Sequence, residues 1–386
     1  MKYLIILGDG MADWPCEGLC NKTPLAYANI PNMDRIAREG RSGMLKTVKD
    51  GFEPGSDIAN LSVLGYDPAL YYTGRGPLEA FSMGICLGPD DIAYRCNLVT
   101  VTDGVMRDFS AGHISSAEGA ALLKSLDAAL PDVSIYPGVS YRNLLVVSGG
   151  AGAKTTPPHD IVDEEIAEYL PDGGDASVLA ECVRVSREIF ADHPVNKKRI
   201  AEGKPPATQI WPWSGGKKPQ LPSFLERYGV RGAMISAVDL LNGIARCVGM
   251  DIITVPGATG YLDTDYMAKA RYAVEALKTA DLVYMHVEAP DEAGHLGSAE
   301  EKVRAIERLD EAVGYILDNF DGVIALLPDH PTPLALKTHT SDPVPFAVMG
   351  LGCDDVDCYS EDAAEKGSFG LMDALDFILI LTVKHE

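Results

Sequence analysis

Tyr3-Leu4-Ile5-Ile6-Leu7-Gly8-Asp9-Gly10 is an apolar run that breaks off on a glycine, an acid and a second glycine. A run with no polar face reads as a strand covered on both sides, as in a parallel sheet flanked by helices. The same texture returns far along the chain. Helical patterns at 32–39, 263–280 and 299–319 are interleaved with strand-like runs at 282–287, 322–327 and 344–349. Within 299–319, Val303, Ile306, Leu309, Val313 and Ile316 recur at helical spacing. A closing helix is expected over 371–383. Strands alternating with helices predict an α/β core with a mainly parallel sheet.

The middle of the chain has a different character. Short strand-like runs at 93–100, 134–136 and 144–147 surround a helix announced by the capping box Ser115-x-x-Glu118. Segments rich in proline and glycine follow at 155–159 and 204–222. We read residues 86–221 as an α+β domain inserted between the two parts of the core, 1–85 and 222–386.

Composition narrows the function. The 386 residues carry 33 Lys plus Arg against 56 Asp plus Glu, a formal net charge of −23. Such a field repels nucleic acid and anionic membranes and draws in cations. An anionic substrate is admitted only where metals or local Arg and Lys reverse the field in one cleft. The apolar run 3–7 is far too short for a signal segment or a membrane span, and no later run approaches about 18 residues. The eight cysteines have no zinc-site spacing, so reduced thiols in a cytoplasm are expected. Oligomeric state has no signature in the sequence.

Four polar motifs abut expected strands of the core. Asp9 follows the first, Asp291 and His295 follow 282–287, Asp329 and His330 follow 322–327, and His339 precedes 344–349. Loops after parallel strands gather at one edge of the sheet, where ligands bind. A lone Asp or His there is usually a turn or core residue. Half of the chain's eight histidines, however, fall between His286 and His339, nearly all close to an Asp or Glu. Carboxylates and imidazoles converging at one edge are a ligand set for a pair of divalent metals. A second signal is Pro54-Gly55-Ser56-Asp57-Ile58-Ala59-Asn60-Leu61-Ser62. Its serine opens a helical stretch, which favours either a simple N-cap or, beside a metal, a nucleophile. Spacing alone favours the cap.

These motifs together resemble the alkaline phosphatase superfamily, and within it the archaeal-type cofactor-independent phosphoglycerate mutases. The runs LGDGMAD, GSDIANLSVLGYDP, TGRGPLEA, SAGHI, YPGVSYRNLLVV, TPPHDI, HVEAPDEAGH and PDHPTP carry the likeness over nearly the whole chain. The resemblance implies a phosphatase-like core with an inserted substrate-binding domain. It implies one metal on Asp291, His295 and His339 and another on Asp9, Ser56, Asp329 and His330. Mn²⁺ is the expected ion, with Zn²⁺ or Mg²⁺ as alternatives, and no 2,3-bisphosphoglycerate is needed. Ser56 would take the phosphoryl group of 3-phosphoglycerate and return it to the other hydroxyl, giving 2-phosphoglycerate. The inserted domain would close over glycerate and exclude water. His113, Arg142, His159, Asp160, Arg107 and Asp108 are its candidate substrate contacts.

One stretch departs from the pattern. Where such mutases carry an Arg-Gly segment after an apolar strand, this chain has Ile210-Trp211-Pro212-Trp213-Ser214-Gly215-Gly216, with Lys217 and Lys218 following. A different acceptor, as in a homoserine kinase-like branch, is one explanation. Tryptophans that merely pack a wall between domains are the other. A hydrolase on the same metal core is a third functional reading, and a non-catalytic binding protein a fourth.

Overall fold

In the computed structural model, which describes residues 1–382, the chain forms two compact units, 1–72 with 221–386 and 73–220. The first unit holds an eight-stranded sheet. Its strands run in the order Gly370–Asp373, Gly40–Lys46, Val344–Met349, Val323–Leu327, Tyr3–Gly8, Leu282–Val287, Gly232–Ile235 and Asp251–Ile252. Only Val344–Met349 runs against its neighbours; the other pairings are parallel. Tyr3–Gly8 lies in the middle and is buried along its whole length, which is why it has no polar face. The helix Ala299–Asn319 covers one side of the sheet with Ile306, Leu309, Val313 and Ile316.

Strand direction gathers the site. Tyr3–Gly8, Leu282–Val287 and Val323–Leu327 are parallel, so Asp9, Asp291 and Asp329 emerge from the same edge. The reversed Val344–Met349 starts at that edge, and His339 lies just before it.

The closing segment differs from the sequence expectation. Gly370–Asp373 is an edge strand parallel to Gly40–Lys46, and the helix begins only at Phe377 and runs to Thr382. Leu371 faces solvent on that edge, and the Asp373 carboxylate accepts from Leu375 N (2.9 Å), which turns the chain. Val383 lies outside the described residues. The helical pattern at 263–280 shortens to Tyr266–Ala276, started by Asp265 accepting from Ala268 N.

The second unit is built on an antiparallel sheet. Ile92–Thr102 is its long central strand, paired with Val105–Asp108, Arg142–Val147 and Gln209–Lys217, while Val133–Val139 extends the other side of Arg142–Val147. The helix Ser116–Asp127 carries the expected capping box, with Ser115 and Glu118 bonded reciprocally. The unit begins at Thr73, ahead of the expected boundary at 86, and ends at Gln220. Helix Arg75–Ser82 belongs to it because Glu79 pairs with Arg95 of the central strand (3.0 Å) and Ala80 packs with Leu87, Ala93, Leu144 and Val146.

Candidate active site

Ser56 is the first residue of the helix Ser56–Val63, and Gly55 holds the N-cap position. The serine therefore caps nothing. Its Oγ lies 3.1 Å from His330 Nε2. The same ring nitrogen is 3.4 Å from Asp9 Oδ1 and 3.6 Å from Asp329 Oδ2. Asp9, Asp329 and His330, all fully buried, present one ligand atom each within a 4.8 Å span.

A second group sits alongside. Asp291 and His295, four apart on the helix Ala289–Leu296, share a face, and their side chains meet at 3.1 Å. His339 Nε2 is 3.5 Å from the other Asp291 oxygen and 3.0 Å from His295 Nε2. The His295 Nδ1–H donates to the Lys337 carbonyl (2.9 Å), leaving Nε2 for a ligand. The His330 and His339 rings lie 4.0 Å apart, so the two groups adjoin. All seven of Asp9, Ser56, Asp291, His295, Asp329, His330 and His339 are thus brought together.

The electrostatics call for cations. Burial, reinforced by the charges of Asp329, Glu288 and Asp291, raises the Asp9 carboxyl well above the ordinary range. Glu288 is pushed up to about 8, by burial first and then by Asp291. Asp291 goes the other way: burial opposes its charge, yet hydrogen bonds from His295 and His339 outweigh that and hold it well below the usual value. Asp9 Oδ1 is buried with no hydrogen bond. Packed carboxylates with an orphaned oxygen, alternating with imidazoles, are donors that divalent cations satisfy.

The backbone leaves room for this. Gly10 has φ +58°, and a Cβ there would collide with Asp291 and Thr332. Thr332 Oγ1 donates to Asp291 Oδ1. Beneath the loops, the fully buried Lys302 donates to the carbonyls of Ala12 (3.2 Å) and Thr332 (2.8 Å) and to Asp13 Oδ2 (2.7 Å). That one ammonium ties the segment carrying Asp9 to the segment carrying Asp329 and His330.

Sequence reasoning passed over several groups. Asn60, Tyr284 and His286 all bond to the carboxylates or to one another, although Asn60 lies in the run after Ser56 and His286 heads the stretch that holds Asp291 and His295. Lys302 had a readable signal: a lysine on the apolar stripe of a helix, one place before Val303.

In the second unit, an aromatic cluster joins several candidate residues. Phe109 contacts Tyr141 and His159 (ring centroids 5.7 and 6.1 Å), Tyr141 contacts His113 (6.1 Å), and His159 contacts Trp213 (5.3 Å). The Arg142 guanidinium stands 5.7 Å from the Tyr141 ring. His113, Arg142, His159 and Asp160 are exposed, with Asp160 3.6 Å from His159. Asp108 is structural: its oxygens accept from Ser110 N, Ser110 Oγ and Gly112 N (2.6–2.7 Å), folding the turn that places His113 at φ +47°. Arg107 turns to Asp163 (3.1 Å). Trp211 and Trp213 are buried within this unit with Val99, Met106, Ile161 and Ile166. Trp213 also carries a cation, since the Arg95 guanidinium lies 4.3 Å over its ring.

The model of the 2,3-bisphosphoglycerate-independent phosphoglycerate mutase family matches residues 37–196. A 2,3-bisphosphoglycerate-independent phosphoglycerate mutase of Methanothrix thermoacetophila is 52% identical over 389 residues, covering 99% of each chain. The chain belongs to this mutase family. A probable 2,3-bisphosphoglycerate-independent phosphoglycerate mutase of Geobacter sulfurreducens is 48% identical, covering 97% of this chain and 99% of its own. Among solved structures, a Pyrococcus horikoshii protein superposes with a TM-score of 0.85 at 35% identity, covering 98% of this chain and 96% of its own. The cofactor-independent phosphoglycerate mutase from Thermoplasma acidophilum follows at 0.69 and 30%, covering 99% of both. The chain is thus an enzyme of the mutase family with the α/β core that the motifs imply.

Proposed function

We propose that the protein interconverts 3-phosphoglycerate and 2-phosphoglycerate through a phosphoserine on Ser56, the second unit supplying substrate contacts. The observation that carries the reading is Ser56 Oγ beside His330 Nε2, in contact with Asp9 and Asp329, on a residue that caps no helix. Asp291, His295 and His339 would hold one divalent cation, and Asp9, Ser56, Asp329 and His330 the other. Oxygen-rich donors with three imidazoles suit Mn²⁺, with Zn²⁺ or Mg²⁺ as alternatives. When bound, the cations offset phosphoryl charge and lower the pKa of the serine hydroxyl. Ser56 Oγ attacks phosphorus, the bond to the glycerate oxygen breaks, and that oxygen ends with the serine's proton. Glycerate then presents its other hydroxyl, whose oxygen attacks phosphorus as the bond to Ser56 Oγ breaks, and that hydroxyl's proton ends on the serine oxygen. Exposed His113, Arg142 and His159 are the residues we assign to the substrate's carboxylate and hydroxyls.

Eight free cysteines and the absence, among the described residues, of a helix long and apolar enough to cross a membrane support a cytoplasmic setting. The deciding assay couples 3-phosphoglycerate and Mn²⁺ to enolase, beside an ATP-plus-homoserine reaction. Activity confined to the second reaction removes the mutase reading, and phosphate released faster than product points to a hydrolase.

Metal uptake should depend on pH in one direction. The hydrogen bond to Asp291 pushes the His295 imidazole up to about 9, so in the metal-free protein it is protonated at neutral pH. The stability that this pair contributes is complete below about pH 6.5, the ordinary imidazole value, and is lost as pH rises through 9. A cation at Nε2 must displace that proton. Mn²⁺ affinity at this group is therefore expected to rise about tenfold per pH unit towards pH 9. Calorimetric titrations that give a flat affinity from pH 6.5 to 8.5 contradict His295 as a ligand.

A further inference from the structure

Tyr284 and His286 are two residues apart on the strand Leu282–Val287, so their side chains leave the same face of the sheet. Both are fully buried, and from each a hydrogen-bond chain ends on a carboxylate of the Asp9/Asp329/His330 group. Tyr284 Oη donates to Asn60 Oδ1 (2.6 Å). That bond fixes the carboxamide's orientation, and Asn60 Nδ2 then donates to Asp329 Oδ2 and to the Ser56 carbonyl (both 2.8 Å). In the other chain, Ser236 Oγ accepts from Val238 N (3.0 Å) and lies 3.2 Å from His286 Nδ1. With Asp9 as the carboxylate that a cation ligand must be, its Oδ2 only accepts, so the His286 ring hydrogen sits on Nε2 and is given to Asp9 Oδ2 (2.8 Å), with Nδ1 accepting from Ser236 Oγ. Lys269 Nζ donates to the His286 carbonyl (3.0 Å) and pins the strand at this point.

Asp329 Oδ1 accepts from Gly10 N (3.3 Å) and His330 N (3.0 Å), so both its oxygens are engaged. Of the four carboxylate oxygens on Asp9 and Asp329, Asp9 Oδ1 alone lacks a hydrogen bond. We propose that Tyr284–Asn60 and Ser236–His286 are positioning residues that fix Asp329 and Asp9 and so set the cation affinity of that one group, without touching cation or phosphoryl group. Asn60 additionally keeps the Ser56 helix in register with Asp329. The proposal rests on the reading of this group as a cation site with Ser56 as nucleophile. The competing use of His286, as a ligand with Asp9 and Glu288 for a third cation, needs its Nε2 without the hydrogen and so gives up the 2.8 Å bond to Asp9 Oδ2.

The test titrates metal-free full-length protein with Mn²⁺ and compares Tyr284→Phe, Asn60→Ala, His286→Leu and His286→Gln. Calorimetry gives affinity and stoichiometry, and thermal unfolding of the metal-free forms reports the fold. One of two Mn²⁺ sites is expected to weaken about 10- to 100-fold in the first three variants, with the other unchanged. His286→Gln, whose amide restores a donor near Nε2, should recover part of the loss. In turnover, kcat should fall with little change in KM. Two wild-type sites left unaltered by every variant overturn the positioning role, as does weakening of both sites in step with a lower unfolding midpoint. Three wild-type sites, one lost in His286→Leu, make His286 a ligand. A wild-type chain that takes up no Mn²⁺ sinks the cation reading itself, and this proposal with it.

Discussion

Ser56→Ala is expected to abolish turnover and leave the fold and the metal-free stability in place. The serine follows Gly55 at the first helical position and caps no backbone amide, so its hydroxyl contributes little to the helix. Its one short side-chain contact is His330 Nε2 at 3.1 Å. Removing the attacking oxygen removes the covalent route altogether, and a loss of about 10⁴-fold or more in kcat is the ordinary scale for a deleted nucleophile. Incubation with 3-phosphoglycerate followed by intact-protein mass measurement should find a phosphoryl adduct on the wild type and none on the variant. Turnover above about one hundredth of the wild type would reject a phosphoserine, whatever the adduct shows.

Asp329→Asn should cost the protein a bound cation. The carboxylate accepts at both oxygens, from Gly10 N and His330 N on one side and Asn60 Nδ2 on the other. An amide supplies one acceptor and one N–H₂. Whichever way it is turned, a donor then faces a donor in a buried site, a loss of about 1–3 kcal/mol before any metal is considered. The negative charge disappears as well. Elemental analysis after dialysis is expected to fall from about two divalent ions per chain to about one. An unchanged count contradicts the ligand assignment.

Much of the α/β core could be read in advance because its strands are wholly apolar and its helices keep one period. Leu282–Val287 and Ala299–Asn319 fall where expected. The segment after residue 370 could not, since Leu371 and Met372 suit a helix until Gly40–Lys46 offers an edge to pair with. The Asp and His residues proposed as ligands were legible by type and by their places next to strands. The groups holding them were not: Asn60, Tyr284 and His286 are common core and helix residues until their partners, more than two hundred positions away for Asn60, come into view. For Ser56, spacing alone favours a cap. A serine at a helix start is usually a cap, and only the backbone placing Gly55 at that position decides otherwise.

The order of the central sheet carries a consequence for biosynthesis. Tyr3–Gly8 is flanked by Leu282–Val287 and Val323–Leu327, both made much later in the chain. Until translation has passed residue 287 that hydrophobic segment has a partner on neither side, and until residue 327 on one side only, which makes it a hazard for aggregation in the nascent chain. Closure of the sheet around Tyr3–Gly8 therefore waits until most of these 386 residues have been made.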